Sequence, residues 1–172
     1  MRIAISDASI LIDLANVGLL ETLAKLPFDF IVTDFILNEI TRMDQKMAID
    51  GLRERGTLRI LAASQGEIEQ IGALSQAARN LSIPDCSVLV LARINKALIL
   101  SNDSRIRHHA KESKLECHGT IWILRQFVHR RKVRAKDALD YLSRLMSANP
   151  RLPKAECAAL MQELAGLDSE WR

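Results

Sequence analysis

Ile83-Pro84-Asp85-Cys86-Ser87-Val88-Leu89-Val90-Leu91-Ala92, running on through Asn95 to Ala97-Leu98-Ile99-Leu100-Ser101-Asn102-Asp103, is the stretch from which the architecture of this chain follows. Pro84 suits the first turn of a helix, where its missing N–H costs no bond. The apolar run behind it predicts a buried helix to about Asn95, and Ala97 to Ser101 predicts a short buried strand. Helical residues rise about 1.5 Å and strand residues about 3.3 Å, so the longer helix and the shorter strand each cover roughly 16 Å. The chain goes down one and returns along the other. Asp85, at the helix start, and Asp103, just past the strand, are therefore expected at one edge of the domain. Two carboxylates brought together by matched lengths suggest a metal site.

Outward from that stretch, strands and helices alternate. Arg2 to Ser6, Phe28 to Val32, Thr57 to Ala62 and Leu115 to Cys117 read as further strands. Helices are expected over Ile10 to Ala15, Leu19 to Leu26, Gln45 to Arg55, Gly66 to Asn80, Ser104 to Ser113 and Gly119 to Arg131. Thr33 can cap another, with Asp34 in its first turn and Phe35 to Ile40 behind it, which places Glu39 about a turn and a half in. Ala135 to Ser147 and Pro153 to Ala165 form a closing helical pair across the Asn149-Pro150 turn. The class is α/β, with a central, mostly parallel sheet flanked by helices and a C-terminal helical pair.

Size and composition bound the function. At 172 residues the chain can bury a real core, with aliphatics carrying it since aromatics are only 4%. A net charge of +3 and a pI near 8.9 permit a nucleic-acid partner without demanding one. No secretory leader and no apolar run of about 18 residues is present, so no membrane is expected and the chain reads as cytoplasmic. Cys86, Cys117 and Cys157 are odd in number and widely spaced, which fits reduced thiols, mostly packed, rather than disulfides or zinc. There is no Gly-rich Walker loop and no dinucleotide fingerprint. Asp7-Ala8-Ser9 lacks the paired acids of a two-Asp phosphotransfer domain.

In an open parallel sheet, functional groups gather beyond the carboxyl ends of the strands. Asp7 follows the first strand, Asp103 follows a later one, and Glu39 and Asp85 ride on adjoining helices. Four acids in one small space repel unless protonated or bridged by a cation. All-oxygen ligation without His or Cys suits Mg²⁺ or Mn²⁺, an ion that binds phosphate and activates water. Each of these residues has a plain structural alternative, since Asp at a strand end is commonly a turn former or helix cap. Both readings stand at this point.

The same pieces resemble the PIN-domain family of metal-dependent ribonucleases. They are Ile5-Ser6-Asp7-Ala8-Ser9, Thr33-Asp34-Phe35-Ile36-Leu37-Asn38-Glu39-Ile40, Ile83-Pro84-Asp85-Cys86-Ser87 and Leu100-Ser101-Asn102-Asp103, in this order over residues 1–125. Among relatives the chain looks most like VapC-like toxins of toxin–antitoxin pairs, and His118-Gly119-Thr120 with the helical tail resembles a branch described as nucleic-acid-binding. The resemblance implies a PIN-like nuclease domain over 1–132, a helical extension over 133–172 packed on it, and a Mg²⁺-dependent endoribonuclease that hydrolyses RNA. Carried over by position, Asp7, Glu39, Asp85 and Asp103 become the catalytic and metal-binding quartet, with Ser9 and Asn102 supporting. The helix with Glu39 lacks the proline common at its start in relatives, which leaves Asp34 as the alternative. An antitoxin partner and a homodimer are implied in the same way. A PIN nuclease of RNA processing without an antitoxin, or a non-catalytic nucleic-acid-binding module, are the competing readings.

Other residues divide between function and structure. Asp13 either faces the cleft mouth or is solvated. Arg105 and Arg107, in the basic run Ser104 to Lys111, either steer RNA phosphates or line a solvated helix face. The run His129 to Arg134 reads as helix-end complementation. Trp122 reads as a core residue and Trp171 as a terminal one. Leu139, Leu142, Leu145 and Met146, then Leu160, Met161 and Leu164, recur at helical spacing, so the tail packs on the core, or else grips an antitoxin or a second copy.

Overall fold

A computed structural model describes residues 1–167. Among these residues five strands form one sheet: β1 (Arg2–Ser6), β2 (Phe28–Thr33), β3 (Leu58–Leu61), β4 (Leu98–Leu100) and β5 (Cys117–His118). Their order is β3-β2-β1-β4-β5 and every pairing is parallel. β1 lies at the centre with β4 beside it, and burial there is nearly complete: Ala4, Ile5, Leu98 and Ile99 are each 0% exposed. Continuous apolar strands of this kind are what a sheet covered on both faces requires.

Among the described residues nine α-helices cover it: α1 (Ala8–Asn16), α2 (Asp34–Leu37), α3 (Met43–Glu54), α4 (Gln65–Ala77), α5 (Ile83–Asn95), α6 (Ser104–Glu112), α7 (Thr120–His129), α8 (Ala135–Ala148) and α9 (Lys154–Leu167). Within the helical stretch expected over Leu19 to Leu26, Leu20–Lys25 is a 3-10 segment ending as Leu26 enters the core. α5 ends at Asn95, about where its sequence predicts. Pro84 lies in its first turn, Ser82 and Asp85 form a reciprocal capping box, and Lys96 ends it in the left-handed region at φ 51°. Cys86 through Ala92 are all buried, so α5 is wrapped on nearly every side. The strand that follows is shorter than expected, because Ala97 turns the chain out of the helix, its N–H donating to the Ala92 carbonyl at 2.9 Å.

α8 and α9 pack on each other and on α7, with α8 also against α1. Leu142, Leu145, Cys157, Leu160 and Leu164 are each at most 1% exposed and join the main core. Leu139, Met146 and Met161 pack against its edge. Cys86 and Cys157 are buried thiols and Cys117 is half-buried, with no disulfide among the described residues. No described helix is long and apolar enough to cross a membrane. Trp122 is half-buried, tilted against Phe28 and stacked on His118 at 4.1 Å between ring centres. Trp171 lies outside the described residues.

From β1 the chain steps to β2 and β3 on one side. It then crosses through α4 and α5 to β4 and β5 on the other. The reversal opens a crevice beyond the carboxyl ends of β1 and β4, the usual location of ligands in such sheets.

Candidate active site

Asp7 is the first residue past β1. Its N–H donates to the Leu100 carbonyl of β4 at 2.9 Å, which fastens it at the crevice. The side chain is buried, and its Oδ2 accepts from the hydroxyls of Ser9 and Ser101, each at 2.8 Å. Burial pushes the Asp7 carboxyl above its ordinary range. The two hydroxyls oppose that rise and repulsion from Asp85 adds to it.

Asp85 and Asp103 sit at helix starts. Asp85 Oδ2 accepts the Ser82 N–H at 2.8 Å, and Ser82 Oγ accepts the Asp85 N–H at 3.2 Å. Asp103 is the N-cap of α6, with Oδ1 accepting from the Arg105 N–H at 2.7 Å and, at a longer 3.4 Å, from the Ile106 N–H. Ser101 joins the acids: its hydroxyl accepts the Asp103 N–H at 3.0 Å while donating to Asp7. The Arg105 guanidinium forks onto Asp103 at 3.1 and 2.8 Å, donates to the Asn80 carbonyl at 3.0 Å, and lies 3.7 Å from Asp85 Oδ2. That hydrogen-bonded pair holds the Asp103 carboxyl below the usual carboxylate range. Capping and cleft-lining, which the sequence left as alternatives, are combined in these two residues.

Glu39 is not inside a helix as expected. α2 ends at Leu37, and Glu39 lies in the turn beyond, its N–H donating to the Ile36 carbonyl at 3.1 Å. The reason is Ile40: it is 1% exposed, and the chain swings to bury it, which leaves Asn38 and Glu39 outward. Partial desolvation raises the Glu39 carboxyl first, then repulsion from Asp7 and Asp85, against the pull of Arg105. Asp34, the alternative, is exposed and bonds its neighbour's Phe35 N–H at 3.0 Å, outside the cleft.

Asp7, Glu39, Asp85 and Asp103 line one cleft of about 580 Å³, with Ser9, Asn102 and Arg105. Arg107 does not line it. It pairs with Glu156 of α9 at 3.3 Å and lines a second cleft with His108, Lys111 and Lys114, which shares Ser104 with the first. Of the basic run further on, His129 stands in the last turn of α7, as helix-end complementation expects, and pairs with Glu163 at 2.6 Å, whereas Arg134 stands at the N-cap of α8, the opposite end of the dipole, and pairs with Asp137 at 2.7 Å.

Asp13 corrects the sequence reading in both its forms. It is neither solvated nor in the cleft but 5% exposed behind it. Its Oδ2 accepts from Asn102 Nδ2 at 2.7 Å and the Thr120 hydroxyl at 3.0 Å, while Asn149 Nδ2 reaches both carboxylate oxygens at 3.2 Å. Asn102 Oδ1 in turn accepts the Thr120 N–H at 3.0 Å. Asn102 thus holds the loop before Asp103, and a Cβ on Gly119 would stand 2.6 Å from Asn102 Oδ1. Ser101, Thr120, Asn149 and Arg151 went unrecognised in the sequence. Only Thr120 carried a signal there, in the His118-Gly119-Thr120 turn.

The donor chemistry fits a hard divalent cation: every acid in the cleft offers oxygen, and neither His nor Cys lines it. The acids stand around the cleft rather than in a closed coordination set. Among the described residues no three Asp, Glu, His or Cys side chains are gathered as a metal site. The positive charge nearest Asp85 and Asp103 is Arg105.

In comparisons with solved structures, the chain is similar to VapBC2 from Rickettsia felis, in a crystal structure bound to a DNA fragment from their promoter. The TM-score is 0.51 with 17% identity over 69% of this chain and 98% of that one. It is also similar to PAE2754 from Pyrobaculum aerophilum, with a TM-score of 0.51 and 14% identity over 73% of this chain and 96% of that one. At such identities the likeness speaks to the fold. No curated protein sequence matches. The sequence profile of the PIN domain matches residues 3–166, nearly the whole of the chain. On that match, and with a fold to agree with it, this chain belongs to the PIN-domain family.

Proposed function

We propose that this chain is a metal-dependent endoribonuclease, using Mg²⁺ or Mn²⁺ to hydrolyse RNA phosphodiester bonds, and the toxin of a toxin–antitoxin pair. The observation that carries the reading is the meeting of Asp7, Glu39, Asp85 and Asp103, from four separate segments of a PIN domain, in one cleft at the sheet's switch point. Asp7 and Asp85 form its buried floor, and Glu39 and Asp103 stand at its more open side. These four would hold the ion. When bound, such an ion supplies charge stabilisation at phosphorus and a more acidic water. Ser9 and Ser101 fix the rotamer of Asp7, and Ser101 and Asn102 fix the loop of Asp103. Arg105 offsets part of the negative charge that RNA would otherwise meet. The second cleft, with Arg107, His108, Lys111 and Lys114, offers flanking phosphates a cationic path.

The similarity of fold to the VapBC2 complex supports an antitoxin as partner, and the same reading makes the chain a cytoplasmic homodimer. The competing reading of a PIN nuclease without antitoxin shares the chemistry and differs in genomic context. A non-catalytic module is disfavoured because all four acids are present. The test is cleavage of labelled single-stranded RNA and of matched DNA, with Mg²⁺, Mn²⁺ or EDTA, by wild type and by Asp7→Asn. Metal-dependent cutting of RNA that the variant lacks is expected. Equal cutting by the variant, or cutting in EDTA, refutes the assignment. Growth arrest on expression, relieved by the product of an adjacent small gene, separates toxin from processing nuclease.

A further inference from the structure

The cleft has a contributor from far along the chain. Arg151 lies on the turn between α8 and α9 and lines the cleft together with the four acids. Its position is fixed from behind. Asn149 Oδ1 accepts the Arg151 N–H at 3.1 Å, Leu152 is buried with its N–H on the Asn149 carbonyl at 3.2 Å, and Asn149 Nδ2 is held by both oxygens of Asp13. Asp13 also holds Asn102, next to Asp103. The turn is thereby tied to the same network that sets the acid loop.

The Arg151 side chain differs from the other arginines nearby. Arg105 is committed to Asp103 and Asp85, and Arg107 to Glu156. Among the described residues Arg151 has only its backbone N–H engaged and its exposed side chain pairs with no carboxylate, although acids line the same cleft. A planar guanidinium on a fixed turn lining a cleft that must admit a phosphodiester is suited to a forked contact with phosphate oxygens.

We infer that Arg151 binds an RNA phosphate beside the scissile one, which makes the turn between α8 and α9 a wall of the substrate site. The inference rests on the nuclease reading above. It assigns the C-terminal helical pair a part in substrate binding, beyond packing on the core.

The test measures binding of a fluorescein-labelled single-stranded RNA to the full chain in EDTA, where the strand stays intact, over a series of salt concentrations. Arg151→Ala is expected to weaken binding about three- to tenfold and to lower the slope of log affinity against log salt by about 0.7, the loss of one phosphate contact on a single strand. Arg151→Lys should keep most of the slope. Arg144→Ala makes the same change of charge on an exposed face of α8 and is expected to stay within about twofold of wild type. If Arg151→Ala matches Arg144→Ala in affinity and slope while wild type cleaves RNA, the Arg151 assignment is overturned and the nuclease reading stands. If wild type neither binds nor cleaves RNA, the nuclease reading falls and this inference falls with it.

Discussion

Asp13→Ala should destabilise the chain although Asp13 is absent from the cleft. The substitution removes the acceptor for three side-chain donors. Thr120, at 0% exposure, keeps the bond it accepts from Asn102 at 2.7 Å but has no acceptor left for its own proton. A buried hydroxyl left that way costs about 1–3 kcal/mol. Asn149 loses both carboxylate contacts, half-buried, for about 1 kcal/mol more. Against this stands the relief of a buried charge, since burial pushes the Asp13 carboxyl up more than its hydrogen bonds draw it down. The net is a loss of about 2–3 kcal/mol, or a fall of roughly 4–12 °C in Tm for a domain of this size. Urea unfolding at pH 7, followed by helical circular dichroism, measures it. The pH dependence supplies a second check. A carboxyl with a folded pKa above its unfolded one binds more protons in the fold, so its contribution is greatest below the unfolded value and declines as pH rises through the folded one. The gap between wild type and variant should therefore widen as pH falls from neutrality toward the ordinary carboxylate value near 4. A variant within about 0.5 kcal/mol of wild type at pH 7, the range of an ordinary surface change, would refute the linking role given to Asp13.

Asp7→Asn should lower cleavage by about 10³-fold or more, while the metal-free protein melts at or above the wild-type temperature, because the amide oxygen can still accept from Ser9 and Ser101 and the buried charge is gone. A collapsed melting curve would show that Asp7 holds the fold. Arg105→Ala removes the cation beside Asp85 and Asp103, so Mn²⁺ binding followed by electron paramagnetic resonance should tighten about threefold or more; weaker binding would mean that Arg105 orders the acids rather than competing for them. Gly119→Ala places a Cβ 2.6 Å from Asn102 Oδ1 and should cost about 1–3 kcal/mol by the same urea assay, whereas an unchanged midpoint would mean the Asn102 loop yields freely. In the metal-free protein the Asp7 and Glu39 carboxyls should titrate above the usual carboxylate value near 4, as read from their side-chain carbon-13 shifts; midpoints at or below 4 contradict that.

The layout was legible in the sequence wherever the signal was local. Pro84 and the apolar residues behind it place α5 and its end near Asn95, and β1 stands out because its run ends at Asp7. The four acids were found because each sits at the end of an element, and lengths can be counted. Glu39 shows the limit of that method. Helical periodicity through Phe35, Ile36 and Leu37 extends naturally to Ile40, yet the core takes Ile40 from a different direction. Asp13 shows another limit: a carboxylate on a short helix reads as solvated, and its partners are 89, 107 and 136 residues away in sequence. Ser101 and Asn149 are ordinary polar residues until the sheet and the helical pair bring Asp7 and Asp13 to them. Arg105 and Arg107 look equivalent in the sequence, one helical turn not quite separating them. The fold turns the first onto Asp103 and the second onto Glu156.

Asp103 and Asp85 each do two jobs with the same atoms, closing the first turn of a helix and facing the cleft. Alanine at either position therefore confounds lost chemistry with a frayed helix, at about 1 kcal/mol per missing cap. Asparagine keeps the cap and removes only the charge. A lineage that abandons nuclease activity while keeping this scaffold should thus drift toward Asn, Ser or Thr at these two positions, and seldom toward Ala. Such a record of substitutions would tell retired copies from those that never folded.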